Sequence, residues 1–364
     1  MASDPIPSRA GGGSLHAVGT AASRWKDLPP ICFYYPRSIP EDAPRAGVDT
    51  FTTYSGSYVW TIKTFGALSR LGFPCYLSRE VPADGLVITH RELLADDMVP
   101  GPRQFFLCIV ADFYRHPYAQ MHLVQNREDP LLRHPSVAWP AAFQPHWTEG
   151  GLIPRDPARG DTFANVSYFG MPHRLAPQLQ GGRFLHRLRA RGFDLRIVDR
   201  EHWNDYGDTD AVLAVRSLAN VSHHKYPPTK LYNAWLAGVP ALLGNESAYR
   251  SERRNQYDYF EVRSSGEVLR TLEYLRGNRA LRERVARNCA LRATEVSPDR
   301  IAEQWTRTLT TMAVPAYEHW CALSPARQAR FLRARRLRYA AFTARDFAAR
   351  AQGFVRRKIR AALP

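Results

Sequence analysis

The chain has 364 residues, 45% of them hydrophobic and 12% aromatic, and a formal net charge of +16. That length and apolar content suffice for two globular domains with buried cores and exclude wholesale disorder. Five scattered cysteines without a C-x-x-C pair give no zinc signature and suit a reducing cytosol, and no apolar run is long enough for a transmembrane helix.

Residues 1–28 are rich in Gly, Ala, Ser and Pro and lack the basic start and apolar centre of a signal peptide, so they read as a disordered lead. Ile31 to Tyr35 is the first strand expected, followed by a Pro-rich loop to about Thr53. Tyr58 to Leu71 carries a helical stripe that includes Trp60, Phe65 and Leu68 and stops at Gly72. Ser55 to Ser57 before it read as caps, with contact to a phosphate-bearing acceptor as the other possibility.

Pro74 to Leu77, Gly85 to Thr89, Gln104 to Ala111 and Met121 to Gln125 read as short strands of a parallel sheet. In such sheets ligands gather beyond the carboxyl ends of the strands. That rule singles out His90, closing GLVITH, and Asp112, closing FFLCIVAD, as general bases for an acceptor hydroxyl. The bland reading is a polar residue capping a strand end. Asp129 to Arg159 has little periodicity and reads as the crossing to a second domain, with Arg155 and Arg159 near the cleft.

The second α/β domain is expected from Asn165 to Phe169, with the turn Gly170 to Arg174, a helix to about Arg191, and strands Phe193 to Val198 and Asp210 to Val215. Gly170 lets a phosphate approach the backbone and Arg174 adds charge, although a single glycine is not a dinucleotide fingerprint. Asp208-Thr209-Asp210 has metal-motif spacing but leads straight into a strand and reads as a turn.

Lys225 to Tyr249 (KYPPTKLYNAWLAGVPALLGNESAY) is a basic loop, a helix from about Lys230, a stop at Gly238, a strand from Val239 to Leu243 and a polar tip. Pro227 and Pro228 stiffen the approach, Thr229 is the expected N-cap, and the first helical turn offers free N–H groups beside Lys230 to an anion. Arg216 ends its strand on the same side as Lys225 and Lys230, so the three bases can converge on one diphosphate. Asn245 and Glu246 at the tip suit ribose or sugar hydroxyls. The alternative is an ordinary αβ connection with a surface lysine.

This segment resembles the donor-binding unit of nucleotide-sugar-dependent glycosyltransferases of the GT-B fold, most clearly over Ala164 to Leu309. Many retaining members carry two glutamates eight positions apart, but eight after Glu246 is Arg254, and the next glutamate is Glu252. The second glutamate's role is therefore not carried over. The resemblance implies an α/β fold of two Rossmann-like domains facing a central cleft. It also implies glycosyl transfer from a nucleoside diphosphate sugar to a hydroxyl on a glycan or lipid-linked acceptor, as in bacterial polysaccharide or glycolipid synthesis, without a metal or further cofactor.

The expected boundaries are 29–160 for the acceptor domain with its linker, 161–315 for the donor domain and 316–364 for a helical tail. Between Arg327 and Arg360 that tail has twelve Lys/Arg against the single acid Asp346. Ala340, Ala344, Phe347, Ala351, Phe354, Val355 and Ile359 lie near one face, the pattern of a helix lying on an anionic membrane. A cytoplasmic protein, peripheral at the inner membrane face through residues 327–360, fits that tail. Two other readings stand beside this one, a nucleotide-sugar epimerase of the same fold and a non-enzymatic nucleic-acid- or membrane-binding protein. Against nucleic acid, the tail has no recognised motif and the body no broad Lys/Arg excess.

Overall fold

The computed structural model describes residues 25–39, 50–53, 55–133, 140–221 and 223–362, with the side chains of 133 and 346–362 excepted. Strands β1 (Ile31–Tyr34), β2 (Tyr76–Ser78), β3 (Gly85–His90), β4 (Gln104–Ile109), β5 (Met121–Val124) and β6 (Ala141–Phe143) form one sheet. Their order is β2-β1-β3-β4-β5-β6 and every pairing is parallel. β3 and β5 are buried throughout, as parallel strands covered on both faces must be.

The first helix, α1, comprises Gly56–Tyr58, a π turn at Val59–Lys63 and Thr64–Arg70. Ser55 Oγ caps it by accepting from the Tyr58 amide at 3.4 Å. Trp60, Ala67 and Leu68 form its buried stripe against β1 and β3. It starts two residues before the sequence pattern suggests, because the cap and not the apolar stripe sets its beginning.

A second parallel sheet holds β7 (Asn165–Phe169), β8 (Asp194–Val198), β9 (Ala211–Ala214), β10 (Ala241–Leu243) and β11 (Phe260–Glu261) in the order β11-β10-β9-β7-β8. Helices α2 (Gly182–Arg189), α3 (Thr229–Ala237), α4 (Ser247–Glu252), α5 (Ser265–Gly277) and α6 (Arg279–Glu295) belong to this unit. α3 ends at Gly238 in the left-handed region (φ 71°), where glycine avoids the Cβ penalty and lets the chain turn at once into β10.

Two expectations change at the carboxyl end of the chain. Helix α7, Pro298–Thr308, continues through Leu309–Ala313 and Val314–Ala322. Its stripe Ile301, Trp305, Leu309, Ala313, Tyr317 and Trp320 is buried in the core of the first unit, with Trp305 beside Phe33 and Trp60. The chain thus crosses back before residue 315, since the apolar surface left by α1 and β1 matches that stripe.

The final helix α8 (Pro325–Ala362) is likewise docked over its first turns. Gln328 Nε2 donates to the Pro102 and Trp320 carbonyls at 3.0 and 2.8 Å, and the Arg335 guanidinium donates to the carbonyls of Ala119 and Gln120. Phe331 and Leu332 pack on the first core. The inward face is therefore 328–331–332–335 and continues through Tyr339, bonded to Asp96, and Phe342, edge-on to Tyr114, whereas Ala340 and Ala344 of the expected apolar face are exposed. Phe347, Ala351, Phe354, Val355 and Ile359 lie outside the described side chains.

Candidate functional site

Parallel strands end together, so each sheet presents one row of strand-ending residues. A cavity of about 420 Å³ is lined by such residues from both sheets. His90 ends β3, Ala111 and Asp112 follow β4, Gln125 follows β5 and His146 follows β6; Gly170 follows β7 and Arg216 follows β9. The two rows face each other across one cleft.

On the second unit's wall, Lys230 lies on the first turn of α3, and its Cε is 3.2 Å from where a Cβ on Gly170 would stand. Glycine at 170 therefore admits the lysine stem to the turn. The N-cap residue of α3 is Pro228 and not Thr229, and it makes no side-chain cap bond. Thr229 Oγ1 is buried without a hydrogen-bond partner and lines the cavity. An uncapped helix start, a hydroxyl and an ammonium thus meet at one point, which suits a phosphate. Burial, with Arg216 nearby, pushes the Lys230 ammonium down to about 8, against the pull of Glu246, Glu149 and Asp112.

Arg216 is paired with Glu246, whose other oxygen, Oε1, is buried without a partner. The Arg216 guanidinium stands 4.3 Å from the Tyr226 ring centroid, and Arg174 stands 5.4 Å from the same ring. Tyr226 thus holds two arginines at the cavity wall by cation–π contact.

On the first unit's wall, Asp112 opens into the cleft and accepts from Gln125 Nε2 at 3.1 Å. The protein around it raises its carboxyl above the ordinary range by desolvation, while Arg216 and Arg174 oppose that shift. The preceding Ala111 has φ 46°, a left-handed conformation that alanine rarely adopts, and the resulting turn carries the chain from β4 into the cleft. His90 is buried, and its Nδ1 accepts from the Glu92 amide at 3.2 Å. A backbone N–H can only donate, so the neutral ring carries its proton on Nε2. Burial lowers its pKa to about 4. His90 is thus a hydrogen-bond donor to the cavity, and the base role expected from sequence does not fit this tautomer. Arg37 bonds both Ser57 and Glu92, at 3.4 and 2.9 Å, beside the same wall.

Two Rossmann-like α/β units face one cleft with the carboxyl ends of their strands. This is the GT-B arrangement. No protein-family model and no curated protein matches the chain. Among solved structures it is similar to HepE of Anabaena crystallised with UDP and glucose, at 12% identity and a TM-score of 0.47 over 78% of this chain and 100% of that one. It is also similar to sucrose-phosphate synthase of Thermosynechococcus elongatus, at 12% identity and a TM-score of 0.45 over 70% and 77% of the two chains. A third similar structure is the pneumococcal O-GlcNAc transferase GtfA in complex with UDP and GlcNAc, at 11% identity and a TM-score of 0.42 over 69% and 60%. At these scores the functional reading rests on the chain's own geometry.

Of the nine residues expected to carry catalysis or donor binding, six line the cavity: Asp112, His90, Gly170, Arg174, Arg216 and Lys230; Ser57, Pro227 and Thr229 line it too. Three of the nine do not. Lys225 turns its Nζ onto the Tyr114 ring of the first unit, 3.1 Å from the centroid. Asn245 donates to Asn220 Oδ1 at 2.8 Å, and Glu246 sits behind the wall as the partner of Arg216. Arg155 and Arg159 are not at the cleft. Both bind Asp210, immediately before β9, at the opposite end of the sheet. That pairing also ends any metal reading of Asp208-Thr209-Asp210, and no metal-holding cluster of His, Cys, Asp and Glu occurs among the described residues.

Sequence reasoning missed Tyr226, Gln125 and His146. Gln125 and His146 follow strand ends, the same signal that found His90. β6 went unrecognised because three residues after Pro140 show no period.

Proposed function

We propose that the chain is a glycosyltransferase that moves a sugar from a nucleoside diphosphate sugar to a hydroxyl acceptor in the cleft. The observation that carries this reading is the meeting of Arg216, Arg174, Lys230 and the uncapped start of α3 in one cavity shared by both units. Glycosyl transfer releases a diphosphate, and preorganised cations aimed at the leaving group supply the largest stabilisation such a reaction needs. Asp112 opens to the cleft and can take a proton from the acceptor hydroxyl. His90 serves as a donor to hydroxyls of the bound sugar or acceptor. Lys230→Ala is expected to lower transfer about 10²-fold or more, the scale of losing one preorganised charge at a leaving group. Unchanged turnover of a nucleotide sugar by this variant would remove the reading.

The acceptor is a glycan or lipid-linked glycan in this reading, and the tail brings the enzyme to it on an anionic membrane. Arg327, Arg330, Arg333, Arg336, Arg338 and Arg345 are exposed on α8, in a stretch with no acidic residue. Each such charge is worth about 1 kcal/mol near an anionic surface. Changing Arg330, Arg333, Arg336 and Arg338 to Gln, which leaves the inward face untouched, is expected to abolish cosedimentation with phosphatidylglycerol vesicles. Equal cosedimentation of this variant and the parent chain would rule the membrane role out.

A further inference from the structure

His146 borders the cavity from the loop after β6, and nothing in the donor-site reading uses it. Its Nδ1 lies 2.6 Å from the Trp147 carbonyl oxygen. A carbonyl oxygen can only accept, so Nδ1 carries the proton and Nε2 keeps its lone pair. Nε2 has no hydrogen-bond partner among the described residues. The ring is set edge to face against Trp60, with centroids 4.9 Å apart at 86°, so its orientation is fixed by packing.

His90, on the same cavity, has the opposite tautomer, because its Nδ1 accepts from the Glu92 amide. The cleft therefore presents an imidazole that accepts at Nε2 and another that donates there. A hydroxyl group both donates and accepts, so a polyhydroxyl ligand is the chemistry that satisfies such a pair. Burial, helped by the charges of Lys63 and Lys230, keeps His146 neutral at pH 7. A ring so placed gains little from taking up a proton, so it recognises a hydroxyl and does not act as the base.

We propose that His146 is a substrate-contacting residue that accepts a hydrogen bond at Nε2 from a sugar hydroxyl in the cleft, complementing the Nε2–H of His90. This rests on the glycosyl-transfer reading. The hydroxyl can belong to the transferred sugar or to an acceptor sugar, and the test separates the two.

The first measurement is a long-range ¹H–¹⁵N correlation spectrum of the full chain labelled at histidine, assigned with His146→Gln and His90→Gln. At pH 7 it should show the Nδ1–H tautomer for His146 and the Nε2–H tautomer for His90. An Nε2–H or cationic His146 overturns the proposal. The second compares UDP-, GDP- and dTDP-glucose with their free diphosphates by calorimetry in the parent chain, His146→Leu and His146→Gln.

If the transferred sugar is read, His146→Leu binds the preferred sugar nucleotide about threefold to tenfold more weakly, the loss of one neutral hydrogen bond. The free diphosphate binds as before, and Gln, which keeps an acceptor, restores most of the loss. If an acceptor sugar is read, the same loss appears in octyl glucoside binding to the diphosphate-loaded chain. Equal affinities in both arms refute the role of His146 alone, whereas a parent chain that binds none of the nucleotides refutes glycosyl transfer and this proposal with it.

Discussion

Lys230 is the residue whose protonation the site controls most directly. Burial and Arg216 push its ammonium down to about 8. A bound diphosphate reverses that balance and raises the pKa. Between the free and bound pKa values binding must therefore take up a proton, and affinity must fall as pH rises through 8. Calorimetry of nucleotide-sugar binding at pH 9 in two buffers of different ionisation enthalpy should show uptake of most of a proton, and at pH 6.5 none. Heats that do not depend on the buffer at pH 9 would detach Lys230 from the diphosphate. Lys230 was legible in the sequence because a lysine after a Pro-stiffened loop at a helix start has one direct physical use. Lys225, five residues earlier, carries the same charge, yet its backbone leads it to Tyr114. Sequence spacing cannot distinguish these two directions, and it cannot report a tautomer, which is why His90 was read as a base.

At the scale of elements, the phosphate wall depends on how closely the turn after β7 approaches the start of α3. A Cβ at position 170 would stand 2.8 Å from the Tyr168 hydroxyl and 3.2 Å from Lys230 Cε. Tyr168 is buried and its hydroxyl is bonded to the Met171 carbonyl at 3.2 Å, so it has little room to yield. Gly170→Ala is therefore expected to cost about 1–3 kcal/mol of stability through overpacking and to weaken diphosphate binding by displacing Lys230. Thermal unfolding and nucleotide titration check the two effects separately, and a variant with parental affinity would show that the approach is not needed.

The strands that frame this wall were readable from apolar runs such as NVSYF and DAVLAV. Ile301, Trp305 and Leu309 of α7 have helical spacing in the sequence, but spacing does not say which unit the helix joins. Its apolar stripe fits either core by pattern, and only the three-dimensional match of Trp305 to Phe33 and Trp60 decides.

For the whole molecule, the cleft works only if the two units close on it. Besides Lys225 on Tyr114, Gln125 Nε2 donates to the Lys225 carbonyl at 2.9 Å and Asn126 Nδ2 to Ser247 Oγ at 2.9 Å. Arg127 Nε reaches Glu252 at 3.2 Å. These three contacts come from the residues that follow β5 and reach α4 or the loop before α3, and Arg200 Nη2 of the second unit donates to the Thr53 carbonyl of the first at 2.6 Å. They are few and polar, the kind of interface that lets domains move.

Asn126 and Arg127 touch neither the diphosphate wall nor His90, so removing their side chains tests closure apart from chemistry. The double variant Asn126→Ala and Arg127→Ala is expected to increase the radius of gyration of the nucleotide-free chain in small-angle scattering. It should also raise the KM for the sugar nucleotide while leaving saturated turnover within a few-fold. A saturating nucleotide sugar should restore the compact form, because its diphosphate meets the second unit and its sugar the first, which favours the closed state by mass action. If scattering shows the same compact chain with and without these side chains, α7, the Gln125–Lys225 bond and Lys225 on Tyr114 hold the two units together, and Asn126 and Arg127 serve only packing.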